Sequence, residues 1–243
     1  MRIRIITLPR TKATYLTKAI TQAVNPEQFK VNSDYYNEPY NNRADPGAAL
    51  EWMKRDQKAV VKHHIRHLVA DDVYNSRQYF DQENQLPWYN VAVVRRDLFA
   101  TAVSYCRSRM LDQWHSYSPQ QVTIDPDLFC GSVLALWGSV VHIVRNEHRI
   151  PYDAVVYSED FSFQPNQDVY LSTGRAVPSF DVDSTASPSN TVLNLDQLRD
   201  LASAIVLPQV DSVDVEVTPE LYIRHLVPSV GRLNLPSPKN TLR

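Results

Sequence analysis

The sequence predicts an α/β fold: one domain over residues 1–243, with a central, mostly parallel sheet flanked by helices. Three observations carry that expectation. Short apolar runs at Ile3 to Leu8, Ala59 to Val61 and Val91 to Val94 are bounded by polar residues, the pattern of strands buried on both faces. The first and third runs give way to segments with apolar residues at helical spacing, so strand, loop and helix follow in turn. With 43% hydrophobic residues in 243, the chain can bury a full core.

After the first run, Leu16, Ala19, Ile20 and Ala23 share a helical face, and Thr11 to Ala23 reads as a loop turning into an amphipathic helix. The third run leads to Asp97, a helix cap, and then to Leu98, Thr101, Ala102, Tyr105 and Cys106 on one face. Asp125 before Pro126 is a second cap with proline in the first turn. It opens a long helix whose inner stripe is Phe129, Val133, Trp137, Val140 and Val144 and which is expected to stop near residues 148–151. A fourth strand is expected from Ala154 to Tyr157 and a further helix from Leu195 to Val206. Residues 164–194, rich in Pro, Ser, Asp and Asn, and the proline-broken residues 227–243 read as loops.

A formal net charge of -2 gives no general positive field for nucleic acid or an anionic membrane, so any anion site has to be local. The apolar part of the opening MRIRIITLPRTK is too short for a signal peptide, and no other run approaches the ~20 apolar residues of a membrane span. A cytoplasmic protein is expected. Cys106 and Cys130, each in an apolar stretch, read as buried thiols in a reducing compartment rather than as a disulfide framework or a metal site.

In open α/β sheets ligands bind beyond the carboxyl ends of the strands. The residues to inspect are therefore Pro9 to Tyr15, Lys62 to His67 and Arg95 to Ser104, and all three sets contain cations. The first and third add hydroxyls before or within a helix. A strand-to-helix loop presents backbone N–H groups and the positive end of a helix dipole, to which Arg10 and Lys12 add charge. That combination suits a phosphate or a sulfate.

The same residues carry a resemblance. PRTKATYL, Pro9 to Leu16, resembles the 5′-phosphosulfate-binding loop of sulfotransferases, which commonly reads PKSGTTWL. Arg96 followed eight residues later by Ser104 is similar to that family's 3′-phosphate motif, and Lys62, His63 and His64 to its Lys-Thr-His stretch. YSEDF, Tyr157 to Phe161, looks like a Tyr-Glu-Asp segment found after the central helices of the family. The elements occur in the family's order over about the first two-thirds of the chain, with the nucleotide motifs within residues 1–110.

The resemblance implies a P-loop-like sulfotransferase topology and a donor, 3′-phosphoadenosine 5′-phosphosulfate, bound without metal. Thr11, Thr14 and the loop amides, including those of Lys12 and Ala13, would hold the 5′-phosphosulfate. Arg10 would stabilise charge on the bridging oxygen, and Tyr15 would stack on adenine. Arg96 and Ser104 would grip the 3′-phosphate. His64 would remove the acceptor's proton, a role suited to an imidazole of unperturbed pKa ~6.5. The acceptor is a hydroxyl or amine on a small molecule or glycan, and Tyr35, Tyr36, Tyr40, Trp52, Trp88, Tyr89 and Trp114 are candidate walls of its pocket.

The chain departs from the family pattern in two places. Lys12 stands where the loop usually has glycine, so a positive φ there would strain a lysine. In place of a C-terminal glycine-rich basic lid there are only Gly231, Arg232 and Lys239, scattered and unassigned. Other readings of the same residues are an ordinary capped helix with a solvated arginine, a helix serine bonded to its own backbone, and a structural histidine cluster. His63 and His67 could share a helical face as metal ligands, but the glutamate of an HExxH site and a third ligand are missing. Two rival functions follow: a non-catalytic nucleotide- or glycan-binding protein on the same scaffold, and a P-loop kinase. The second requires a glycine-rich loop with Lys directly before Ser or Thr, whereas Ala13 follows Lys12.

Overall fold

A computed structural model describes residues 1–40, 45–69, 77–95, 97–114, 119–145, 150–158, 169–170, 176–177 and 191–205. Four parallel strands form the main sheet: β1 (Arg2–Thr7), β2 (Val60–His64), β3 (Trp88–Val94) and β4 (Ala154–Tyr157), in the order β2-β1-β3-β4. Thr7 lies beside His64 on one side and Val93 on the other, so the three carboxyl ends are level. An α/β architecture with a parallel sheet is what the apolar runs predicted.

Helix α1 (Ala13–Val24) follows β1 and buries Leu16 and Ile20. Two helices not legible in the hydrophobic pattern come next, the single turn α2 (Ser33–Tyr36) and α3 (Pro46–Arg55). Asp45 caps α3 by accepting from the Gly47 and Ala48 amides, with Pro46 in the first turn. Beyond β2, α4 (Ile65–Val69) and α5 (Arg77–Glu83) lead to β3, and α6 (Leu98–Leu111) follows it. Asp97 caps α6 by accepting from the Ala100 amide at 2.8 Å, as expected.

Helix α7 (Pro126–Arg145) is capped by Asp125, which accepts from Asp127 and Leu128. Its stretch Pro126–Ile143 is long and apolar enough to cross a membrane by length and composition. Phe129, Val133, Trp137 and Val140 of its expected stripe are nevertheless buried in the protein core, while the Val144 side chain lies outside the described residues. Helix α8 (Leu195–Ala204) packs on α7. One core cluster joins Ile6, Val61, Met53, Phe80 and Trp137; another joins Cys106, Val122, Phe129 and Leu198.

The structure departs from the sequence expectation in several places: β3 begins at Trp88 rather than Val91, and α8 ends at Ala204 rather than Val206. Strand β2 runs on through His64, because the polar Lys62 and His63 are buried against partners that a local reading does not contain. Within 164–194, expected as loops, β5 (Val169–Tyr170) pairs antiparallel with β6 (Ala176–Val177). Residues 227–243, with Gly231, Arg232 and Lys239, lie outside the described residues, as do Glu159 to Phe161 of the Tyr-Glu-Asp segment.

Candidate functional site

The strand order reverses direction at β1. The connection from β1 leads outward to β2, and the chain then returns to place β3 on the other side of β1. Such a reversal leaves a crevice beyond the carboxyl ends of the two strands that diverge from it, the usual ligand position in open α/β sheets. Here those strands are β1 and β3, and the residues beyond them are the loop 8–12 and the start of α6.

The loop after β1 is held from inside. Thr11 is buried, and its hydroxyl bonds to the Thr7 hydroxyl and to the Leu8 carbonyl at 3.0 Å. The Thr11 hydroxyl, expected on the sulfonate, thus faces the loop interior; of its polar groups only the backbone remains for a ligand. Arg10 and Lys12 on either side both have left-handed backbones, with φ 61° and 57°. Lys12 therefore adopts the conformation that favours glycine at the position where the resembling motif has glycine. It is exposed, precedes the first residue of α1, and makes no side-chain cap. No acidic residue occupies the first turn of α1, and the dipole there is positive.

Arg10 crosses the crevice. Its Nε donates to the Ser104 hydroxyl at 3.0 Å, and Nη1 donates to the Trp114 carbonyl at 2.6 Å. Residues 94 positions apart, assigned separately to the two ends of one nucleotide, are thus in contact. Burial lowers the pKa of the Arg10 guanidinium, and the like charges of Arg95 and Arg107 lower it further. Tyr15, Tyr105 and Trp114 surround this corner, with Tyr105 and Trp114 edge to face at 5.5 Å. Arg96 lies outside the described residues.

A second group sits at the end of β2. Alternation along the strand puts Lys62 and His64 on one face and His63 on the other. Lys62 Nζ donates to Thr14 Oγ1 at 3.0 Å and to Glu38 Oε1 at 2.9 Å, and His64 Nε2 donates to the same carboxylate oxygen at 2.8 Å. Thr14, expected on the phosphosulfate, is thereby linked through Lys62 and Glu38 to His64, the expected base. Ala13, the first helical residue, is buried beneath them.

Glu38 went unrecognised in the sequence. It follows α2, has a left-handed backbone at φ 63°, and donates its amide to the Lys62 carbonyl. The only local signal is a glutamate before Pro39; the partners lie 24 and 26 residues away. Lys62 and His64 hold its carboxyl far below the usual carboxylate range against the opposing effect of burial. Burial, with Lys62 adding to it, lowers the pKa of His64. Burial also lowers the pKa of Lys62, although Glu38 counters it.

His63 points into the core, where its Nε2 lies 3.1 Å from Glu83 Oε1. Strand geometry removes the helical pairing of His63 with His67, and His63 is buried. The His67 side chain is outside the described residues. Tyr40, a candidate pocket wall, is also buried and donates its hydroxyl to Glu83 at 2.5 Å. Tyr35 and Trp52 line a cleft with Ala48 and residues 55–58, beside the start of β2 rather than its end. Among the expected aromatics, Trp114 lies against Arg10. In comparisons with known proteins, neither the protein-family models nor the curated protein sequences give a match to the chain.

Proposed function

We propose that this chain transfers a sulfonate group from 3′-phosphoadenosine 5′-phosphosulfate to a hydroxyl or amine acceptor, on a P-loop-like sulfotransferase scaffold. The observation that carries the reading is the 3.0 Å bond from Arg10 to Ser104, which joins the two cationic turns at the crevice where the strand order reverses. The left-handed Lys12 and the Lys62–Thr14 contact support it, because they give the loop the turn and the extra cation that a phosphosulfate requires.

In this reading the amides at the start of α1 and the Arg10 guanidinium hold the 5′-phosphosulfate. Tyr15 meets the adenine, and Ser104 and Arg96 take the 3′-phosphate. The acceptor oxygen attacks sulfur in line as the bond from sulfur to the bridging oxygen breaks. Arg10 and Lys62 offset the charge gathering on the departing bisphosphate, and most of the rate enhancement comes from positioning and fixed charge. His64 receives the acceptor's proton, and Glu38 stabilises the imidazolium so formed. No metal enters the scheme.

The second reading, a non-catalytic binding protein, draws on a specific feature of the same site. His64 Nε2 faces Glu38, and Nδ1 is shielded from solvent. Proton removal by His64 with Glu38 in place therefore requires Nδ1 to be uncovered to the acceptor.

A thermal-shift comparison of adenosine 3′,5′-bisphosphate, Mg-ATP and NAD, followed by an assay for sulfonated product, tests both. A ligand at ~100 times its dissociation constant stabilises the fold by about 2.7 kcal/mol. The bisphosphate is expected to outperform ATP, and His64→Ala to keep binding but lose transfer. Binding without product from any acceptor class favours the second reading; preference for Mg-ATP sinks both and points to a kinase.

A further inference from the structure

Ser104 and Arg107 are three residues apart on α6, so their side chains leave the same helical face with Cβ atoms roughly 5–6 Å apart. Both are buried, and Arg10 reaches Ser104 from across the crevice. Arg95 follows β3 two positions after Val93, which pairs with Thr7, and so approaches the same corner from the sheet. Arg107 donates through Nη2 to the Gln120 carbonyl at 3.1 Å, which fixes its chain in place. The positive charges of Arg95 and Arg107 are both felt at Arg10.

Arg10 on the Ser104 hydroxyl, Arg107 one turn along the same buried helix face and Arg95 just past the end of β3 make, in a chain of net charge -2, a local concentration that overall composition does not explain. Like charges removed from water repel strongly, because the low local dielectric weakens screening. A dianion placed among them reverses the sign of that interaction, whereas a monoanion offsets less of it. Guanidiniums also match phosphate oxygens in paired hydrogen bonds.

We propose that Arg107, backed by Arg95, is a specificity-determining residue that makes the Ser104 corner selective for a dianionic phosphate monoester. Resting on the nucleotide reading above, this assigns the terminal 3′-phosphate of the donor to Arg107 as well as to Ser104. It also gives that phosphate a cation from within α6.

The test measures dissociation constants of adenosine 3′,5′-bisphosphate, 5′-AMP and inorganic pyrophosphate for the full chain, Arg107→Met and Arg107→Lys. The wild-type chain is expected to prefer the bisphosphate over 5′-AMP. Arg107→Met is expected to reduce that preference about tenfold or more with 5′-AMP affinity unchanged, and Arg107→Lys to restore part of it. An unchanged preference in folded Arg107→Met, or in Arg107→Lys should the methionine variant not fold, overturns the proposal and leaves Arg107 as a pin for the Gln120 segment. If the wild type shows no preference for the bisphosphate, the nucleotide reading fails by itself. Arg107-dependent binding of pyrophosphate then upholds the anion corner, and its absence overturns that too.

Discussion

Lys12 has to turn the chain from β1 into α1, and it does so at φ 57° without the side-chain freedom from strain that glycine has there. A left-handed residue with a Cβ costs about 1–2 kcal/mol, partly offset because a lysine loses less backbone entropy on folding than a glycine, a difference of about 0.4–1 kcal/mol. Lys12→Gly is therefore expected to raise stability by about 0.5–1 kcal/mol, seen as a higher urea midpoint with unchanged slope. Lys12→Ala, which keeps the Cβ, is expected to give no such gain. Glu38, like Arg10, is also left-handed, at φ 63°, and it sits where its amide and carboxylate both reach Lys62. A left-handed backbone at Glu38, which holds Lys62 and His64, fits a site in which placement of charge outweighs local comfort.

At the scale of elements, β2 is the strand that divides two chemistries. One face places Lys62 and His64 on Glu38, and the other places His63 on Glu83. The first face has a pH signature. His64 has a lowered pKa in the folded chain, so between that value and its unfolded 6.5 the unfolded chain binds more protons. Stability must then rise with pH across this window and fall on acidification, by up to about 1.4 kcal/mol per pH unit for one proton. Glu38, also lowered, adds its own loss only as pH drops below its unfolded value of 4.5. His64→Gln is expected to flatten the slope between pH 6.5 and 5 while leaving the steeper loss below 4.5, measured by urea unfolding at each pH.

For the whole molecule, one buried network ties the sheet to α5. Arg4 on β1 donates to Glu83 at 3.2 Å and to Asn90 on β3 at 2.8 Å, while Tyr40 and His63 converge on the same carboxylate. Its members come from five separate stretches of chain and hold β1, β2 and β3 in the register that levels their carboxyl ends. Removing one partner of a buried charged pair leaves the other uncompensated. Glu83→Gln is expected to lose about 3–5 kcal/mol of unfolding free energy, whereas an exposed control such as Glu27→Gln should change little. An equal loss in both would remove the network from this role.

Much of this fold could be read locally. The apolar runs that became β1, β3 and β4, the caps Asp97 and Asp125, and the buried stripe of α7 all depend on interactions within a few residues, which periodicity and composition record. The left-handed turn at Lys12 enters the sequence reading only as a condition, through the glycine of the resembling loop, and the backbone decided it. What sequence alone left undecided was every contact made across the sheet. That Arg10 meets Ser104 and that Glu38 joins Lys62 to His64 follow from strand order and register. Those are set by how buried surfaces and charges from distant segments satisfy one another, and a short stretch of chain carries no record of its remote partners.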